Sequence, residues 1–239
     1  MKWKTAISTK KDGEVSIRGT ALSELIETHT FPEAAFLLMR GSMPNEKETA
    51  MFNALLVSCV EHGVEPPSAF VARSVASTGN DVNTSIAAGV LAISEHHGGA
   101  GEKAAEVLQS NTSAEEIVSN ALKNNTRISG FGHPLYKDSD PRAEQLFKKA
   151  HKLGVSGGYC EKIQSIQSEL EKQSGKKLPI NIDGAHAAIL SDMGFDWRLV
   201  KSFFILGRLP GIIAHVHEEM INEKPYRRIN PSDVEYTGT

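Results

Sequence analysis

Gly130-Phe131-Gly132-His133-Pro134-Leu135-Tyr136-Lys137, continued by Asp138-Ser139-Asp140-Pro141-Arg142, is the stretch from which the rest of the chain can be read. Its two glycines free the backbone for close approach to a ligand, and a histidine follows directly. Asp140 is placed as a helix N-cap, with Pro141 at the first helical position. Ala143, Leu146, Phe147, Ala150 and Leu153 then recur at helical spacing until Gly154 ends the helix. An imidazole on a tight loop, a helix N-terminus and Arg142 in its first turn make an arrangement suited to an anionic substrate.

Working outward, the flanking sequence reads as helix almost throughout. Thr30-Phe31-Pro32-Glu33 is a capping-box start for a helix that Gly41 closes, and Asn45 with Glu48 opens the next. Pro66-Pro67-Ser68 begins a helix that runs to Gly79. Asn83 to Ile93 is small and apolar, which predicts a helix buried on most faces. Ser113 and Glu116 form a further capping box, and Glu161 to Ser174 is amphipathic through Ile163, Ile166 and Leu170. Pro179 to Gly184 leads into an Ala-rich helix ending near Gly194. Asp196 caps a helix through Leu206, and Gly211 to Met220 forms the last. Only the start differs: Trp3 to Ser8 and Val15 to Arg18 read as strands around a Lys10-Lys11-Asp12-Gly13 turn. The class is mostly α, with a short N-terminal β-hairpin and an extended tail from Glu223 to Thr239.

With 239 residues, 40% of them hydrophobic, the chain can bury a full core in one or two domains. A net charge of −3 with dispersed basic residues excludes a nucleic-acid surface. No apolar run approaches the roughly 20 residues that span a bilayer. Met1-Lys2-Trp3-Lys4 lacks a signal peptide's apolar core, so a cytoplasmic location is expected. Cys59 and Cys160 form no zinc or CxxC pattern.

Several other residues carry possible chemistry. His97 precedes Gly98-Gly99 where the apolar helix ends, and reads equally as a capping histidine or as an exposed, hydrogen-bond-donating ring. Asp183 among apolar neighbours reads as an N-cap or as a base of raised pKa towards a carbon acid. Arg208, between two apolar helices, needs an anionic partner from protein or ligand. His62 stands at a helix exit. His215-Val216-His217-Glu218-Glu219 is not a metal site: residues two apart on a helix point about 200° apart, and HExxH is absent. There is neither a GxGxxG nor a P-loop. Two histidines, an aspartate and several arginines suit carbon–carbon bond chemistry through an enolate, in which a carboxylate moves the α-proton, histidines face the oxyanions and arginines hold carboxylates.

In this combination the residues resemble the citrate synthase superfamily. The Gly-Phe-Gly-His-x-x-Tyr-Lys-x-x-Asp-Pro-Arg run at 130–142 is similar to its most specific motif. His97-Gly98-Gly99-Ala100, Asn181-Ile182-Asp183, Gly207-Arg208 with Ala214-His215, Gly13 to Gly19, Phe31 to Leu38 and Tyr236-Thr237-Gly238 follow in the family's order. The resemblance implies catalytic roles for His97 (thioester oxygen), His133 (oxaloacetate carbonyl) and Asp183 (α-proton). It implies that His62, Arg142 and Arg208 hold carboxylates, that Arg227 or Arg228 reaches a partner subunit's site, and that Phe131, Gly132, Leu135, Tyr136 and Lys137 face coenzyme A. It also implies an all-α fold, with a large domain of residues 1–98 and 186–239 and a small domain of 99–185. The resemblance also implies a homodimer or higher homo-oligomer, and the residues themselves offer no metal motif.

The chain departs from a standard citrate synthase in being shorter before residue 62. Pro134 stands in place of Arg, and Glu95-His96 in place of Pro-Leu. Asn181 to Gly184 with Asp192-Met193-Gly194 resembles the citryl-CoA lyase module that also closes ATP-citrate lyase. The expected activity is therefore cleavage of citryl-CoA to acetyl-CoA and oxaloacetate, with a citryl-CoA synthetase as a partner. The alternatives are a compact citrate or 2-methylcitrate synthase, or a non-catalytic CoA-binding homologue.

Overall fold

A computed structural model of the protein describes residues 2–238; Met1 and Thr239, the ends of the expected hairpin segment and tail, lie outside the described residues. Helices account for 59% of the chain, so the mostly α reading holds. Strands β1 (Ser8–Lys11), β2 (Glu14–Ile17) and β3 (Thr20–Ala21) form an antiparallel sheet in sequence order. The hairpin register pairs Lys11 with Glu14, so the turn is Asp12-Gly13 alone, both with positive φ. A two-residue turn of that kind matches the twist of the strands. This moves the first strand from the expected 3–8 to Ser8–Lys11.

Eleven helices follow among the described residues: α1 (Leu22–Thr28), α2 (Phe31–Arg40), α3 (Glu46–Ser58), α4 (Pro67–Ala76), α5 (Val82–Leu91), α6 (Ala100–Gln109), α7 (Ala114–Lys123), α8 (Pro141–Leu153), α9 (Gly158–Ser174), α10 (Ile182–Asp192) and α11 (Val200–Asn222). The capping boxes of Thr30 and Ser113 form as expected, and Gly41 and Gly154 end their helices in the left-handed conformation.

The expected break at Pro210 does not occur. Asp196 caps a short 3-10 turn, Trp197–Leu199, and a single helix then continues through Pro210. An interior proline removes one donor and crowds the carbonyl four residues back, a cost of about 3 kcal/mol that the burial of this helix on both sides of Pro210 offsets. The join makes Trp197–Asn222 long and apolar enough, by composition, to cross a membrane, contrary to the expectation from shorter runs. The same helix carries buried Phe203, Arg208, Ile212, Val216 and Glu219, which is how a core helix is built.

The helices gather into two compact units. One comprises the chain up to Ser58 with Gly99–Phe204, and the other Cys59–Gly98 with the chain from Ile205 onward. These bounds differ from the expected division at 98/99 and 185/186. In the first unit α10 is buried on every side from Gly184 to Ser191 and packs on α6, α8 and α9, so it groups with the His133 segment. Phe36, Phe52, Phe195 and Phe203 form an aromatic core with centroids 5.0–5.7 Å apart. Asp192, at the end of α10, accepts the backbone N–H groups of Gly157, Tyr159 and Cys160, so one helix caps the start of another. Burial and Asp192 together push the Cys160 thiol up to about 12. It is inert at neutral pH.

In the second unit α4 and α5 pack closely because Gly89 has no side chain. A Cβ there would lie 2.7 Å from the Ser68 carbonyl and 3.0 Å from Ile212. The expectation that α5 is buried on most faces fails: only Ser85 and Gly89 are buried, while Val82 and Leu91 are 48% and 81% exposed. Apolar composition reveals that a helix seeks cover, not that its own chain supplies it. The tail is mostly exposed and irregular apart from a 3-10 turn, Pro231–Asp233.

Candidate active site

In the first unit, two segments distant in sequence are laced together. Gly132 N–H donates to the Pro179 carbonyl (2.8 Å), Asn181 N–H to the Gly130 carbonyl (3.0 Å), and the Asn181 amide to the Gly132 carbonyl (3.0 Å). Gly130 and Gly184 meet face to face. A Cβ on Gly184 would lie 2.5 Å from the Gly130 carbonyl, and one on Gly130 3.0 Å from the Gly184 Cα. The Gly130 freedom thus serves approach to α10 rather than to a ligand, while Gly132 has open space beside it. This lacing presents His133 and Asp183 from one scaffold.

Asp183 is the second residue of α10. The N-cap is Asn181, whose side chain accepts the Gly184 N–H, so the capping reading of Asp183 falls. Burial pushes the Asp183 carboxyl above the ordinary carboxylate range, partly countered by the charge of Arg142. Gly101 on α6 packs beside it, and a Cβ there would press on Val200 at 3.1 Å while meeting Asp183 only in ordinary contact.

The His133 Nδ1 accepts the Leu135 and Tyr136 N–H groups at 3.1 and 3.2 Å, and its ring stacks on Tyr136. The Arg142 guanidinium lies 3.3 Å from Nε2. A neutral imidazole has one acceptor nitrogen; the two fixed backbone donors at Nδ1 outweigh the single, longer guanidinium contact at Nε2 and assign the acceptor to Nδ1. The proton therefore sits on Nε2. Arg142 is itself held in place within the unit. Its Nε and one terminal nitrogen engage the buried Asp140 at 3.0 and 2.8 Å, and Asp140 also accepts the Ile182 N–H at 3.2 Å. Asp140 is thus more than an N-cap: it fastens Arg142 to the start of α10.

A cavity of about 640 Å³ in the same unit is lined by Leu122, Phe131, Gly132, His133, Leu170 and Leu178, with Arg127 and Lys176 among its cations. Of the residues expected to face coenzyme A, Phe131 and Gly132 line it; Leu135, Tyr136 and Lys137 are not among its lining residues. Sequence reasoning passed over Arg127 and Lys176 because each is an isolated cation in a polar stretch.

In the second unit, His97 lies beyond α5, which ends at Leu91, in a loop where its backbone pairs with Ser94. It leads into α6 rather than closing a helix. Its Nε2 meets the Ser68 hydroxyl at 2.9 Å, a partner the sequence offered only as a helix start. Burial first, then the positive charges of Arg208 and His62, push the His97 pKa below its ordinary value, so the ring is neutral at neutral pH. Arg208 is 3% exposed and donates from Nε to the Cys59 carbonyl at 2.7 Å. The His62 ring contacts the Glu61 carbonyl. Arg227 pairs with buried Glu219, whereas Arg228 is exposed over the Tyr226 ring. Among the described residues no group of three His, Cys, Asp or Glu side chains is gathered for a metal.

The sequence profile of the citrate synthase C-terminal domain matches residues 45–231. The chain belongs to the citrate synthase family. It is 32% identical over 206 residues to the 2-methylcitrate synthase of Shewanella oneidensis, covering 84% of this chain and 54% of that protein. It is 31% identical over 217 residues to citrate synthase 2 of Bacillus subtilis, covering 89% and 57%. The chain therefore spans just over half the length of these relatives. Within the family, the citryl-CoA lyase of Hydrogenobacter thermophilus superposes with a TM-score of 0.95 at 47% identity, covering 99% of this chain and 95% of that one. ATP citrate lyase of Methanothrix soehngenii, solved with citrate and coenzyme A, shares the fold at 21% identity and TM-score 0.82, with this chain covering 42% of it.

Proposed function

We propose that this enzyme of the citrate synthase family is a citryl-CoA lyase, cleaving citryl-CoA reversibly to acetyl-CoA and oxaloacetate. The near full-length likeness to the Hydrogenobacter thermophilus lyase, at 47% identity, carries this reading. In the condensing direction Asp183 takes a proton from the acetyl methyl group. His97, held at Nε2 by Ser68, donates from Nδ1 to the enolate oxygen. The enolate carbon attacks the oxaloacetate carbonyl, and His133 Nε2–H passes its proton to the oxygen that becomes the hydroxyl. Arg142 and the two N–H groups at Nδ1 stabilise the ring while it lacks that proton. Cleavage reverses each step: the hydroxyl proton returns to Nε2, the carbon–carbon bond breaks, and Asp183 reprotonates the enolate carbon. The thioester stays intact throughout.

Carboxylates fall to His62, Arg142 and Arg208. With Arg227 committed to Glu219, Arg228 is the arginine assigned to a neighbouring subunit's site. The exposed apolar residues of α5 support a homodimer. A cytoplasmic location and a separate enzyme that supplies citryl-CoA complete the proposal.

Coenzyme A is assigned to the 640 Å³ cavity, with Phe131 against its apolar portion and Arg127 and Lys176 on its phosphates. Arg127→Ala and Lys176→Ala are each expected to weaken coenzyme A binding about tenfold in calorimetry. At least one of them should leave 3′-dephospho-coenzyme A binding as in the wild type.

The names of the curated relatives favour a second reading, a compact citrate or 2-methylcitrate synthase. One comparison separates the two. Citryl-CoA is offered with malate dehydrogenase to detect oxaloacetate, and acetyl-CoA plus oxaloacetate with a thiol reagent to detect free coenzyme A. Rapid oxaloacetate release with little free coenzyme A supports the lyase; abundant free coenzyme A in the second assay overturns it.

A further inference from the structure

The sequence His215-Val216-His217-Glu218-Glu219 offers no metal site, yet His215, Glu218 and Glu219 are engaged within the second unit. The His215 Nε2 lies 3.0 Å from Glu61 Oε1, and its Nδ1 3.3 Å from a terminal nitrogen of Arg73. A guanidinium is always a donor, so Nδ1 is the acceptor and the proton sits on Nε2, donated to Glu61. Glu61 Oε1 also accepts the backbone N–H groups of His62 and Gly63 at 2.8 and 2.6 Å. One carboxylate oxygen thus gathers three donors and shapes the turn that presents His62. Gly211 permits the arrangement, because a Cβ there would come 2.4 Å from both Glu61 Oε2 and the Val60 carbonyl.

Behind His215 the chain of contacts continues. Arg73, almost fully buried, binds Glu218 at 2.6 Å and buried Glu219 at 2.7 Å. Glu219 in turn holds Arg227, whose backbone N–H donates to Ser77. These groups fix Arg73, and Arg73 fixes the tautomer of His215.

We propose that His215 is a positioning residue for substrate carboxylate binding, acting through Glu61 on the turn that carries His62. It rests on the proposed function, in which His62 holds a carboxylate. His215 touches no substrate. It keeps His62 in place by completing the donor set of Glu61, and loosening that set lowers affinity for the carboxylate substrate without disturbing the thioester or the proton transfers.

The test is kinetic, in the condensing direction on the full chain. His215→Ala is expected to raise KM for oxaloacetate about tenfold, leaving kcat and KM for acetyl-CoA within about twofold. His215→Gln, whose amide N–H can replace the Nε2 donor, should restore most of the oxaloacetate KM. Should His215→Ala fail to fold, Glu61→Ala on its exposed turn must show the same selective rise. An unchanged oxaloacetate KM overturns the inference. So does an equal loss in kcat and both KM values with Gln no better than Ala, which marks a packing role. Calorimetry separates the two levels: a wild type that binds no oxaloacetate overturns the proposed function and this inference with it, whereas equal binding by wild type and variant overturns the inference alone.

Discussion

Asp183→Asn is expected to lower turnover about 10³-fold in both directions while coenzyme A binding stays as in the wild type. Asparagine keeps the shape of the side chain at the start of α10 but can neither take nor return the α-proton. The raised pKa gives the two directions opposite pH limbs. Condensation needs the carboxylate, so its rate rises with pH through the Asp183 pKa. Cleavage needs the acid form, so its rate falls through the same value. Initial rates measured both ways across a pH series check this, and parallel limbs would assign the titration to another group.

The same substitution has a stability consequence. Burial holds the folded-state pKa of Asp183 above that of an aspartate in the unfolded chain. Such a group contributes stability that is full below the unfolded pKa and is lost as pH rises through the folded one. At neutral pH the buried carboxylate therefore strains the fold. Asp183→Asn should melt at a higher temperature than the wild type there, and the difference should shrink on acidification. A wild type that is the more stable at neutral pH would contradict the desolvated environment assigned to this group.

His97→Ala is expected to cost about 10²- to 10³-fold in kcat, the loss of one donor to a developing oxyanion, with little change in substrate affinity. Because burial, Arg208 and His62 keep the ring neutral, the loss should be the same factor across neutral and alkaline pH. A loss that vanished above pH 7 would mean that a cationic imidazole does the work. Ser68→Ala, which removes the partner of Nε2, should reproduce part of the defect.

Much of this was legible in the sequence because punctuation residues carry local physics. The Asp140-Pro141 start, the Thr30 and Ser113 capping boxes and the left-handed Gly41 and Gly154 ends are decided within a few residues of chain. Pro210 misled for the converse reason: whether a helix survives a proline depends on the packing around it. Long-range partners were the hidden part. Nothing near Asp140 in sequence announces Ile182, nothing near Ser68 announces His97, and nothing near Glu61 announces His215. Gly130 and Gly184 were visible as glycines, but their face-to-face contact belongs to the fold.

That contact also bears on how such a protein can change over time. The chain leaves Gly132, builds α8 and α9, and returns at Pro179 to a point one hydrogen bond away. The excursion is a closed circuit whose two ends are soldered together. Residues can be inserted into or trimmed from its outer turns at small entropic cost. The spacing of His133 and Asp183 at its neck is set by this joint and by the Asp140–Ile182 bond, so lineages can remodel the periphery freely while the proposed reacting pair is inherited as a single part.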